Sequence, residues 1–228
     1  MRTHVRRIDF VRRFDDANAA TAYVSKLTTK LHWSRVIAPK PYYALSRVAG
    51  GSEVKVWMLG TVAGSYFYLP GGGPPEQVNV RIRMLDDVDR VVANTIIGQH
   101  SVPDVTTVTS TYEEIKISKW TTTRVDGEEA MVAKLFTEIY DARNGLQLPR
   151  ERMHTMRPAE LRHGNLVLVE AIVTRYHEPF RNSSPSKDRY SKWRASYTLN
   201  WIAVLDNVSP PAVFTVDTAN QPVVELSI

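Results

Sequence analysis

The chain has 228 residues, 43% of them apolar and 23% charged, with no cysteine and a formal net charge of +5. That balance is too apolar for a disordered chain, and the missing cysteines exclude a disulfide framework and any thiolate metal site. No stretch approaches the roughly 18 to 20 consecutive apolar residues of a membrane helix. Arg12, Arg13, Asp15 and Asp16 close the short Ile8 to Val11 stretch before it reaches signal-peptide length. These features predict a soluble intracellular protein, nuclear or cytoplasmic, with no membrane partner.

Bases outnumber acids by nine to three in residues 1–40 and by nine to six in residues 151–207, whereas residues 101–150 hold six bases and eight acids. Positive charge therefore gathers toward the two ends, a distribution suited to a polyanion and also compatible with an ordinary solvated surface.

In chain order, a basic arm with Arg2, Arg6, Arg7, Arg12 and Arg13 comes first. Ala19, Ala22, Tyr23, Leu27 and Leu31 then recur at three- and four-residue spacings, predicting a helix from Asp15 to Trp33 capped by Asp15 or Asp16 and ended by Pro39 and Pro41. Short β-branched and aromatic runs predict strands at Tyr42 to Val48, Val54 to Leu59, Ser65 to Leu69 and Val78 to Met84, with a hairpin turn at Gly50-Gly51 and a loop at 70–75. A second helix is expected between Asp87 and Gly98, burying Val88, Val91, Val92, Ile96 and Ile97. Strands follow at Val105 to Thr111 and Glu114 to Trp120, then a third helix from Asp126 to Ala142 ending at Asn144-Gly145. Two long strands, Asn165 to His177 and Trp193 to Leu205, complete the pattern, the second placing Trp193, Ala195, Tyr197, Leu199, Trp201, Ala203 and Leu205 on one face. The fold class is thus β-rich α+β: a twisted antiparallel or barrel-like sheet with about three peripheral helices. Residues 1–40 would pack on a single β-rich domain of residues 41–207, and residues 208–228 would form an extended tail or edge strand.

The segment joining the two long strands contains Arg181, Lys187, Arg189 and Lys192 with Phe180 and Tyr190. Cations offset phosphate charge and rings give unpaired bases a face to stack on, so this mixture suits a single strand of DNA or RNA; a solvated hairpin loop would have the same composition. The run Leu161 to Glu170 and the second long strand after a basic loop resemble the closing strands of OB-fold proteins of the replication protein A type, over residues 105–207. In that family five strands follow the order strand-strand-strand-helix-strand-strand, and the loops after the first and fourth strands flank the nucleic-acid groove. The third expected helix occupies the family's place between the third and fourth strands, whereas the upstream strands exceed those of a minimal barrel. The resemblance implies nucleic-acid binding by the loop residues above together with Tyr176 and Arg194. Arg6, Arg7, Arg12 and Arg13 of the arm would contact phosphate or simply solubilise the terminus.

Catalytic signatures are missing: the six histidines have no metal-ligand spacing, and there is no nucleophile elbow or phosphate loop. Asp86, Asp87 and Asp89 suit either a divalent cation or the cap of the second helix. No cofactor is expected. Two further readings stay open, a self-assembling structural protein such as a viral coat, forming homo-oligomers with a genome-contacting arm, and a hydrolase or nuclease with a carboxylate site.

Overall fold

The computed structural model of the protein describes residues 2–27, 30–37, 41–124, 131–177 and 192–207. Helix α1 (Arg2–Arg13) precedes strands β1 (Asp15–Asp16), β2 (Thr21–Tyr23), β3 (His32–Val36), β4 (Tyr42–Ser46), β5 (Lys55–Tyr66) and β6 (Gln77–Met84). Helices α2 (Asp87–Gln99) and α3 (Thr106–Thr109) follow, and then β7 (Ile115–Trp120), β8 (Thr122–Arg124), β9 (Met131–Ala133), β10 (Ile139–Asp141), β11 (His154–Thr155), β12 (Leu166–His177) and β13 (Trp193–Asp206). The fold is a β-rich α+β arrangement on a mixed sheet, with three helices among the described residues. No helix among them is long and apolar enough to cross a membrane.

Five strands pair in a cycle. β5 joins β6 and β6 joins β7 antiparallel, β7 joins β13 in parallel, and β13 joins β12 and β12 joins β5 antiparallel. Alternation explains which faces turn inward: Val78, Val80, Ile82, Ile117 and Tyr197 are buried, while their neighbours Arg81, Arg83 and Lys116 are exposed. The interior is apolar, and α2 packs against β6, β7 and β13, with Tyr197 Oη donating to the Ala93 carbonyl at 2.9 Å.

β12 is buried without a break from Val167 to Val173, so both of its faces are covered there. The second cover comes partly from α1, whose following residue Phe14 stacks on Trp57 at 4.1 Å. Glu170 lies in this layer, accepting from Trp57 Nε1 at 2.9 Å and from Asn200 Nδ2 at 3.3 Å, which satisfies a buried carboxylate. Beyond Ile172, β12 leaves β5 and meets β4 at Ala44, and β4 in turn pairs with β3. The Gly50-Gly51 turn forms with Gly50 at φ +73° and a Ser46–Glu53 bridge, but β4 and β5 then diverge, β4 to this extension and β5 to the cycle. The expected strands at Val54 to Leu59 and Ser65 to Leu69 are largely one, β5, with Gly60 and Gly64 inside it.

Five expectations need correction. The helix from Asp15 to Trp33 does not form: Asp16 accepts from the amides of Asn18 and Ala19, making a turn, and Thr21 to Val24 are all buried, so no helical stripe exists. The expected strand at Val105 to Thr111 is instead α3, started by Asp104, which accepts from Thr106 N and Oγ1 at 2.7 Å each. The third helix is replaced by β9 and β10, with residues 125–130 outside the described set; Ile139 and Tyr140 are consecutive and both buried, which a strand pairing with Ile202 to Val204 allows. The second helix does form, capped by Asp86 as expected, but it buries Asp89, Ala93, Asn94, Ile96 and Gly98 and exposes Val88 and Val91. Close approach decides that face, since a Cβ on Gly98 would lie 2.5 Å from Thr106 Cα. Finally, a bulge at Asn200 moves Trp201 to the face opposite Leu199, because Glu170 pairs with Trp201 and Ala171 with Leu199.

Candidate nucleic-acid interface

The outward positions of the cycle line up in register. Tyr66 lies opposite Asn79, Asn79 opposite Ser118 and Ser118 beside Thr198, and the Thr198 hydroxyl is 2.7 Å from that of Thr174. One step along, Gly64, Arg81 and Lys116 form a second row, and Gln77 faces Trp120 at the end. The missing side chain of Gly64 gives Arg81 its place, as a Cβ there would sit 2.5 Å from the guanidinium. Tyr66 and Trp120 are exposed, 40% and 65%, so two aromatic faces meet water beside Arg81, Arg83 and Lys116. Glu114 pairs with Arg81 at 3.1 Å and with Arg83 at 3.5 Å, holding both side chains over the sheet. The loop 70–75 borders this face, tied down by Thr121, whose Oγ1 donates to the Pro75 carbonyl at 2.6 Å.

The same outward parity continues to the end of the β12–β13 pairing nearest His177, where Tyr176 lies opposite Arg194. Tyr176 is 51% exposed, and Arg194 donates to the Pro103 carbonyl at 3.2 Å. Lys192 is exposed just before β13, its carbonyl accepting from His177 Nδ1 at 3.2 Å. Phe180, Arg181, Lys187, Arg189 and Tyr190 lie outside the described residues. Thus Tyr176 and Arg194 join the outer face, and the sequence had singled out neither Arg81, Arg83 and Lys116 nor Tyr66 and Trp120. Their signal was the strict alternation of Val78 to Met84 and of Ile115 to Ser118, which presents every second side chain to solvent.

The four arginines of the amino-terminal segment divide. Arg7 donates to the Arg143 carbonyl at 2.7 Å. Arg12 reaches Asp86 at 2.6 Å and Asp89 at 3.2 Å, so its charge is engaged within the fold. Arg6 and Arg13 line a groove of about 530 Å³ with Asp9, Phe10, Phe14 and Asp15. The segment is helical, with Val11 buried in the core.

The three carboxylates of the expected capping segment have separate structural duties. Asp86 caps α2, accepting from Val88 N at 2.8 Å; that hydrogen bond, followed by the one from Arg12, holds its pKa below the usual value. Asp87 pairs with Arg90, and the buried Asp89 accepts from Tyr23 Oη at 2.7 Å. Burial, then that hydrogen bond, pushes the Tyr23 phenol well above its ordinary range. Lys119 sits 5.5 Å from the Phe136 ring, and burial lowers its pKa; it faces away from the outer strip. No group of three or more His, Asp or Glu residues suited to a metal occurs among the described residues.

No family model matches the chain, and neither a curated protein nor a solved structure does.

Proposed function

We propose that the protein binds single-stranded DNA or RNA across the outer face of β6, β7 and β13, by phosphate electrostatics and base stacking without covalent chemistry. The observation that carries this reading is one outward face that bears the cations Arg81, Arg83 and Lys116 in successive rows and, in the rows next along the strands, the exposed rings of Tyr66 and Trp120. Cations tracking a backbone and rings accepting base faces are the two requirements of sequence-tolerant single-strand binding. Strand order supports the same reading. The five strands of the cycle, numbered in chain order, pair as first, second, third, fifth and fourth, which suits the five-stranded Greek-key barrel of OB-like proteins, whose second and third strands bear the ligand. Where that family has a helix between the third and fourth strands, this chain has β8 to β11.

Fluorescence anisotropy of labelled single-stranded and duplex oligonucleotides across a salt series tests the proposal. Single strands should bind preferentially, and the Arg81→Ala, Lys116→Ala double variant should flatten the plot of log affinity against log salt by about 1.4, at roughly 0.7 per phosphate contact. Failure of the unaltered protein to bind at low salt would overturn it, and concentration-dependent mass growth would then favour self-assembly.

A further inference from the structure

On the opposite face at the same end of the β12–β13 pairing, Arg175 projects into an aromatic cluster. Its guanidinium carbon lies 3.7 Å from the Tyr43 ring centroid, 4.5 Å from Trp193 and 5.5 Å from Trp33. The arrangement is firmly built: Trp193 Nε1 donates to the His100 carbonyl at 3.1 Å, and Trp33 meets the His100 ring edge-on. Yet no carboxylate lies within ion-pair reach of Arg175 and no acceptor takes its N–H groups among the described residues. Aromatic faces stabilise a guanidinium and fix its plane, but they leave its charge unneutralised and its in-plane N–H edges unused. Those edges match the two oxygens of a phosphate. Arg35, exposed and directly opposite Tyr43, adds a second cation beside it, also without a carboxylate partner among the described residues.

We infer that Arg175, preorganised by Tyr43, Trp193 and Trp33 and assisted by Arg35, forms a second anchoring subsite that grips a backbone phosphate of a single strand already held on the outer face. This rests on the nucleic-acid reading. The occupant is a nucleic-acid strand rather than a free anion because the subsite adjoins the outer face through the hairpin itself: Tyr176 and Thr174, the outward neighbours of Arg175, belong to that face. A strand running off the outer face over the Tyr176–Arg194 pair would meet Arg175 on the adjoining face.

The test compares oligothymidines of about 6 and about 15 nucleotides, lengths within the roughly 4 to 16 that one such fold accommodates. Arg175→Gln should leave the short oligomer's affinity within twofold, weaken the long one about fivefold, and lower the long oligomer's salt slope by about 0.7. Arg175→Lys should keep the slope while losing part of the affinity, since the charge remains without the planar fork. Arg35→Gln, at an exposed site that leaves folding intact, should reproduce the length-dependent loss and decides the matter if the Arg175 variants unfold. Equal effects on both lengths, or none on either, would overturn the inference while the outer-face reading stands. Absence of binding by the unaltered protein at both lengths would instead overturn the outer-face reading and this inference with it.

Discussion

Replacing Arg12 by alanine should destabilise the fold and leave nucleic-acid affinity nearly unchanged. Asp89, 1% exposed, has one carboxylate oxygen shared by Tyr23 at 2.7 Å and Arg12 at 3.2 Å, and its other oxygen lacks a hydrogen-bond partner. Removing Arg12 leaves a buried carboxylate held by a single phenol. Breaking a fully buried pair costs about 3–5 kcal/mol. The Arg12 side chain is 37% exposed, so water replaces part of what it provides, and the expected loss is about 2–3 kcal/mol after that screening. For a domain of this size that lowers Tm by roughly 4–12 °C. Equilibrium urea unfolding measures it. Asp89→Asn placed in the Arg12→Ala background should recover at least about 1 kcal/mol, because a neutral amide costs less to bury than an unpaired carboxylate. A loss under about 0.5 kcal/mol, or a second substitution that only adds destabilisation, would refute the account of Arg12 as the partner of a buried charge.

Asp86→Ala should cost about 1 kcal/mol at neutral pH through the lost helix cap, measured by denaturant unfolding. Because folding depresses the Asp86 pKa, its contribution is complete above the ordinary carboxylate range and disappears as pH falls through the folded value, so the variant should show a shallower acid limb in a stability-versus-pH profile. Gly60→Ala should destabilise by about 1–3 kcal/mol, since the added Cβ would stand 2.5 Å from the Arg83 carbonyl oxygen where β5 enters the cycle; an unchanged Tm would contradict that contact. Glu114→Gln removes the acid shared by Arg81 and Arg83 and should raise single-strand affinity at low salt roughly twofold to fivefold with a steeper salt slope, read by anisotropy.

The sequence was most legible where one side of a strand meets water. Val78 to Met84 alternates residue by residue, as does β13 from Ala195 to Asn200, and both form strands, β13 burying the expected Ala195, Tyr197 and Leu199. Burial on both sides erases that signal. Thr21 to Val24 and Ile139 to Tyr140 are buried at every position and show no alternation, so the helical spacings that suggested helices over Asp15 to Trp33 and Asp126 to Ala142 had nothing to contradict them. The buried stripe of α2 was hidden for another reason: Asp89 enters the core because Arg12 and Tyr23, far away in sequence, receive it there. Ring closure through parallel pairing of β7 with β13, and the Asn200 bulge that turns Trp201 to the other layer, depend on contacts between distant segments and leave no local mark. For the site, the outward cations of β6 and β7 were readable from alternation alone, whereas the cluster around Arg175 joins four strands, β3, β4, β12 and β13, that only the fold assembles.

Net charge is a poor guide to where a polyanion would bind this chain, because much of its arginine charge is answered locally. Arg12, Arg47, Arg90, Arg143, Arg150 and Arg157 each pair with a carboxylate within the fold. Fields from such pairs fade within a Debye length of about 8 Å at physiological salt. On the faces proposed to take a nucleic-acid strand, what remains after that cancellation includes Arg81 and Arg83 sharing one Glu114, and Lys116, Arg35 and Arg175 with no carboxylate partner among the described residues. A salt slope counts these cations and not the charge of the chain. At roughly 0.7 per contact, Arg81, Arg83 and Lys116 contribute about 2 to the slope, and Arg35 and Arg175 together raise that to about 3.5. A short oligomer should approach the first value and a long one the second, so the difference between two slopes separates the outer face from the end of the β12–β13 pair that carries Arg175 without any substitution. A slope steeper than the second value would count further cations, of which Arg194 and Lys192 stand at that end of the β12–β13 pair.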